Sequence, residues 1–290
     1  MPDIRLIASD MDHTLLTEAS ELPPDFHSYV ERLNQAGIVF VAASGRPYFT
    51  LKSMFPKGGP GIAYIGDNGG TVTFDGKVLF ESLMPTTDYQ AMIALTHEQT
   101  HGVPIICGIE TAYVESHFRT HEQFLRTFYS ELTFVDDLGT VSAKADKFTV
   151  YCPDADAIER ADRVFRPAYE GDFAVTIGGR VWVDIMNPGV SKGHGLRVLA
   201  SHLGLTPEQM MAFGDTFNDI EMLDEAYYSY AVANAEQEVR DRARFQAASN
   251  DEFGVVAVIQ KVLAEVARGD SLAADGSRSQ SGAESQTAGA

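Results

Sequence analysis

The chain is poor in several of the residues that would narrow its chemistry. Of its 290 residues only two are cysteine, Cys107 and Cys152. They give no disulfide framework and no Cys-x-x-Cys, and read as buried thiols of a reducing compartment. Lys and Arg number 22 against 41 Asp and Glu, for a formal net charge of −19. With no surplus of cations to neutralise phosphates, nucleic-acid binding is excluded and an anionic membrane surface disfavoured. No apolar run approaches bilayer-spanning length, and no basic segment followed by a long apolar one opens the chain, so the expected location is the cytoplasm. A small phosphorylated anion remains compatible, provided that cations are concentrated at one point.

What is present is a βα rhythm interrupted once. Hydrophobic residues make up 44% of the chain, enough for a substantial core in one large domain or two smaller ones. The run Ile4 to Ala8 reads as a buried strand. Pro23-Pro24 precede an amphipathic helix with Phe26, Val30, Leu33 and Ala36 on one face, and Gly37 stops it. Ile38 to Ala43 reads as the next strand, completing a right-handed βαβ unit. Ile62 to Ile65 is a third strand, and Asp75-Gly76 marks a hairpin.

From Leu83 the rhythm changes. Helical patterns over 89–101, 118–128 and 157–165 alternate with strands over 103–106, 147–151, 173–177 and 180–185. Past Asn187-Pro188-Gly189 the βα rhythm returns, from a helix over 192–203 to a closing helix over 255–266. Residues 269–290, rich in Gly, Ser, Ala and Gln, read as a disordered tail. The expected architecture is α/β. A doubly wound, mostly parallel sheet is built from residues 1–82 and 186–268, and an α+β cap domain is inserted over residues 83–185.

Four short segments carry chemistry. Asp10-Met11-Asp12-His13-Thr14-Leu15 follows the first strand and places two carboxylates where open α/β sheets bind ligands. One carboxylate can attack phosphorus and the other can protonate the leaving oxygen. Ser44-Gly45-Arg46-Pro47 follows the second strand, and a hydroxyl with exposed amides at a helix start suits a phosphate. Lys192 opens a helix, where an ammonium can pair with phosphate and nucleophile together.

Gly214-Asp215-Thr216-Phe217-Asn218-Asp219 adds further acids at a strand end. Carboxylates about 4 Å apart repel by roughly 4 kcal/mol at an effective dielectric near 20, so such a cluster calls for a cation or a proton. An all-oxygen donor set selects Mg²⁺ over zinc. Each segment also has a plain structural use: an acidic loop, a Ser-Gly turn, a solvated lysine, and helix capping by Asn218 or Asp219.

In this order and context the four segments resemble the motifs of haloacid dehalogenase (HAD) superfamily phosphatases of the Cof-type subgroup. The resemblance spans roughly residues 4 to 267 and extends to Asp67-Asn68-Gly69-Gly70, Val232-Ala233-Asn234-Ala235 and Phe253-Gly254-Val255. It implies a Rossmann-like core and a Mg²⁺-dependent phosphatase acting on small phosphate monoesters, sugar phosphates above all. Asp10 would be the nucleophile and Asp12 the general acid and base. Mg²⁺ would be held by Asp10, the backbone carbonyl of Asp12, and Asp215, with Asp219 in support. Ser44 with Gly45, Lys192 and Asn218 would hold the phosphoryl group, and Arg46 and Asn68 are candidates for leaving-group contacts.

The long interval between Ser44 and Lys192 locates the cap. His13 is a departure, since the family commonly has Gly there. A phosphosugar mutase or a non-catalytic sugar-phosphate-binding protein would share much of this pattern. His97-Glu98-Gln99-Thr100-His101 matches the His-Glu-x-x-His zinc signature, but Gly102 and Pro104 end the helix at once, so it reads as the exposed end of a cap helix.

Overall fold

The computed structural model describes residues 3–56 and 61–281. The chain opens with β1 (Leu6–Asp10), a run buried along its whole length as expected of a strand covered on both faces. Helix α1 (Phe26–Gln35) buries Phe26, Val30 and Leu33 and stops where Gly37 takes a φ of +72°. Then follow β2 (Val39–Ala43), α2 (Tyr48–Met54) and β3 (Ile62–Gly66). The hairpin expected at Asp75-Gly76 joins β4 (Thr71–Phe74) to β5 (Lys77–Glu81).

Next comes the inserted module. Its elements are α3 (Thr86–Gln99), β6 (Val103–Gly108), β7 (Ala112–Glu115), α4 (Glu122–Leu125), β8 (Leu132–Val135) and β9 (Ala145–Tyr151). After them, α5 (Ala157–Arg160) runs through a wide turn into α6 (Arg166–Tyr169), and the hairpin β10 (Ala174–Gly178) and β11 (Trp182–Met186) closes the module. These strands form one six-stranded sheet in the order β10-β11-β9-β6-β7-β8.

The chain then returns through α7 (Lys192–Leu203), β12 (Met210–Gly214), α8 (Ile220–Glu225), β13 (Tyr228–Val232), α9 (Gln237–Arg242), β14 (Phe245–Ala247) and α10 (Gly254–Ser281). The large sheet has the order β14-β13-β12-β1-β2-β3-β4-β5. Its first six strands are parallel and the last two antiparallel.

Two consequences position the site. Strands β2 and β3 build away from β1 on one side, and β12 to β14 on the other, so the strand order reverses between β1 and β12. Such a reversal opens a crevice at the carboxyl edge of the sheet. The six-stranded cap sheet is inserted between β5, at one edge of the large sheet, and α7, which leads into β12 beside β1.

Several local expectations need correction. The helix read over 118–128 is a tight turn at Ser116–His121 followed by the short α4, with β7 and β8 on either side; strands of four residues give too little alternation to be read. Helix α3 ends at Gln99, so His101 lies outside it and the two histidines of the zinc-like motif share no helical face. His97 instead pairs with Glu115 at 2.8 Å. Helix α10 runs to Ser281, past the expected start of the tail at 269, consistent with the helix-forming Leu272-Ala273-Ala274. The rest of that expected tail, 282–290, lies outside the described residues.

Candidate active site

Asp10 is the last residue of β1, so its carboxylate leaves the sheet at the crevice; it is 4% exposed. The chain then turns sharply, with His13 at φ 59°, ψ 4°, which explains why glycine suits this position. That turn carries Thr14 to Asp215, whose Oδ1 accepts the Thr14 hydroxyl at 2.8 Å. Lys192, the first residue of α7, is buried and donates from Nζ to Asp10 Oδ1, and to Asp219 Oδ1 at 2.7 Å. Asp219 Oδ2 accepts the backbone amides of Asp215 and Thr216 at 3.0 and 3.2 Å. Asp219 thus joins the acid cluster and closes the turn before α8, but it makes no side-chain cap to the helix from Ile220 onward, a role the sequence suggests for Asn218 or Asp219.

The electrostatics match a site short of positive charge. Burial raises the Asp10 carboxyl well above its usual range; Lys192 opposes this, while Asp219, Asp215 and Asp12 add to it. Burial and Asp219 push Asp215 up to about 7. Lys192 is raised, its burial being outweighed by Asp10 and Asp219. Oxygens of Asp10, Asp215 and Asp219 lie within 4.8 Å of one another, the cluster able to hold a metal ion among the described residues. Three buried carboxylates facing one ammonium, with no nitrogen or sulfur donor among them, suit a hard divalent cation such as Mg²⁺. Asp12 does not join this cluster through its carboxylate.

The Asp12 carboxylate is held instead by Arg46, whose Nε reaches Oδ2 at 2.8 Å and Nη2 reaches Oδ1 at 2.5 Å. Arg46 Nη1 also donates to Thr127 O of the cap at 2.6 Å, and the guanidinium sits 5.0 Å from the Phe128 ring centre. So Arg46, expected at the leaving group, links core and cap across the first aspartate pair. Ser44 is buried, and its Oγ accepts the Arg46 amide at 3.1 Å, leaving its hydroxyl hydrogen to donate. Gly45 lies against the Asn68 side chain, which a Cβ would approach to 3.3 Å. Asn218 Nδ2 donates to Asn68 Oδ1 at 3.0 Å, and Asn68 in turn donates to Asp184 of the cap at 2.9 Å. The buried Asn218 Oδ1 has no hydrogen-bond partner among the described residues.

All the expected residues except Asp219 line one cavity of about 480 Å³ between the core and the cap. Asp219 stands just behind them through Lys192. The cap contributes Phe124, Phe128, Arg180, Trp182, Lys147 and Asp184, none of which was read from the sequence. Gly178 and Gly179 form the tip of the β10–β11 hairpin, and Arg180 beside them reaches the cavity through the placement of the cap.

The match to known proteins covers nearly all of this architecture. A family model for haloacid dehalogenase-like hydrolases matches residues 7–259. The chain belongs to that family, as a Cof-type phosphatase. This hydrolase is 32% identical over 266 residues to the 5-amino-6-(5-phospho-D-ribitylamino)uracil phosphatase YbjI of Escherichia coli K12, covering 90% of this chain and 96% of that one. It is 27% identical over 235 residues to the HMP-PP phosphatase of Enterobacter sp. strain 638, covering 80% and 85%. The crystal structure of SMU.1108c from Streptococcus mutans UA159 superposes with a TM-score of 0.83 at 30% identity, covering 90% of this chain and 99% of that one.

Proposed function

We propose that this phosphatase hydrolyses small phosphate monoesters with Mg²⁺ bound, through a phosphoryl group carried on Asp10. The convergence of Asp10, Lys192, Asp215 and Asp219 in one crevice carries this reading. Asp10, Asp215 and the Asp12 backbone carbonyl would hold the ion, with Asp219 in support. When bound, Mg²⁺ supplies neutralisation of the negative charge that gathers on the phosphoryl oxygens.

The chain's own groups do the rest. Lys192 and the Ser44 hydroxyl hold phosphoryl oxygens, with Gly45 and Asn218 beside them, while Arg46 and Asn68 face the leaving group. An Asp10 oxygen attacks phosphorus, the ester P–O bond breaks, and Asp12 delivers its proton to the departing oxygen. Asp12 then takes a proton from water, whose oxygen attacks phosphorus; the bond to Asp10 breaks and inorganic phosphate leaves. Positioning and charge neutralisation suffice for such a transfer.

The substrate is a small phosphorylated metabolite, with sugar phosphates the class implied by the motifs. The Escherichia coli and Enterobacter relatives, named for a phosphoribitylaminouracil and for HMP-PP, support small phosphorylated substrates. No helix among the described residues is long and apolar enough to cross a membrane.

The test is phosphate release from a panel of esters. Turnover is expected with Mg²⁺, lost in EDTA and restored by Mg²⁺; restoration by zinc alone counts against the reading. Asp10→Asn is expected to abolish turnover while the protein keeps its melting transition. Retained hydrolysis would take Asp10 out of the nucleophile's role.

A further inference from the structure

The cavity is polar at one end and aromatic at the other. At the core end stand the acids and Lys192. At the cap end stand Phe124 and Trp182, their rings 18° from parallel with centres 5.9 Å apart. Phe124 lines the cavity and is 36% exposed although it lies over Tyr151 at 4.7 Å, so part of its ring is open to a bound molecule. Phe128 packs edge-on to Trp182 at 5.1 Å and has Arg46 over its ring, so it props the pair.

Polar groups at this seam are already engaged with one another. Lys147 donates to Gly45 O at 2.6 Å and pairs with Asp67 at 3.1 Å, and Asp184 accepts from Asn68 and from Thr149 at 2.7 Å. Arg180, at the hairpin tip, has no hydrogen bond or ion pair from its side chain among the described residues. A bare sugar would bring hydroxyls to a wall with few free partners, and buried hydroxyls left unpaired weaken binding. A flat ring would meet surfaces suited to stacking, and a polar ring edge would meet the Arg180 guanidinium. A volume of about 480 Å³ lies in the range of cavities that enclose drug-sized ligands.

We infer that the Phe124–Trp182 end of the cavity recognises a planar heterocycle, so that the substrate is a phosphate monoester whose alcohol portion carries such a ring. This rests on the phosphatase reading above and narrows it.

Matched pairs of esters differing by the ring alone test it: uridine 5′-monophosphate with ribose 5-phosphate, and flavin mononucleotide with ribitol 5-phosphate. In the full chain with Mg²⁺, kcat/KM for the ring-bearing member is expected to exceed its partner's by about tenfold or more in at least one pair, in line with the strength of base–aromatic stacking. That ratio is expected to fall toward one in Phe124→Ala and in Trp182→Leu, each checked for an intact melting transition. Equal rates within both pairs, or a ratio that neither variant lowers, overturns the inference and leaves the phosphatase reading standing.

A binding arm needs no turnover. Trp182 is the chain's only tryptophan, so its fluorescence reports this end of the cavity alone. In Asp10→Asn, uridine monophosphate is expected to quench it where ribose 5-phosphate at equal concentration does not; equal response to both overturns the inference. If none of the four esters is hydrolysed, the rate comparison is void and this arm decides the ring by itself, while the panel of esters above still tests the phosphatase reading.

Discussion

The Lys192 ammonium is enclosed on all sides and shared between Asp10 and Asp219. Its charge holds together carboxylates that burial and mutual repulsion drive toward protonation. Removing one partner of such a set leaves buried charge uncompensated, at a cost of about 3–5 kcal/mol. Lys192→Ala is therefore expected to lower the unfolding free energy by that amount in denaturant titrations as well as to remove turnover. A variant that loses turnover with unchanged stability would show that the carboxylates do not depend on it. His13 makes the contrasting case. Its left-handed backbone fits glycine better, yet its ring reaches Glu18 at 3.1 Å on the exposed side. His13→Gly is expected to keep turnover and to change stability by no more than about 0.5 kcal/mol, read from the same titrations.

At the scale of elements, the loop between β3 and β4 fixes how α7 meets the sheet. Gly69 has φ +100°, and a Cβ there would stand 2.2 Å from Ser191 O, the residue that caps α7 just before Lys192. Both the backbone angle and the space demand glycine, so Gly69→Ala is expected to displace the start of α7 and cut kcat sharply. It should also lower the melting temperature by several degrees, as a loss of ~1–3 kcal/mol would. Full activity in Gly69→Ala would mean that Lys192 is positioned without this loop.

This contact also marks what was legible. The strands β2 and β12 are apolar throughout and β1 is apolar from Leu6 to Ala8, with the acids and Ser44 at their carboxyl ends, so local pattern put these residues at a sheet edge and the family resemblance supplied their roles. The cap was visible only as a changed rhythm. Its strands β7 and β8 are too short to show a period, and Phe124, Arg180 and Trp182 reach the cavity through tertiary placement that no local pattern encodes. Arg46 reads from the sequence as a candidate for leaving-group contact; its bond to Thr127 O exists because the cap folds back over a loop 81 residues earlier in the chain.

For the whole molecule, the seam between core and cap is held by buried ionisable groups from both. Asp67 follows β3 in the core, whereas Asp146, Lys147 and Asp184 lie on cap strands. The Asp146 carboxylate accepts the Thr71 hydroxyl at 2.7 Å, and the negative charge of Asp67 acts on it across the seam. Burial pushes the Asp67 carboxyl up from 3.8 to about 6, against the pull of the Lys147 charge, and burial together with Asp67 drives Asp146 well above its usual range. The folded protein thus keeps at the seam a proton that the unfolded chain has already released. Stability from that proton is fully present below the unfolded value of 3.8 and is lost as pH rises through about 6.

The active-site acids Asp10 and Asp215 are raised too and slope the same way, so the wild-type profile alone does not isolate the seam. Asp67→Asn does. It keeps a neutral hydrogen-bonding group at the seam at every pH, and its melting temperature is expected to fall less than the wild type's between pH 4 and 6 at fixed ionic strength. Parallel profiles for the two proteins would mean that Asp67 holds no extra proton in the folded state. The carboxyl pair would then be ionised in the folded state and held by Lys147 alone.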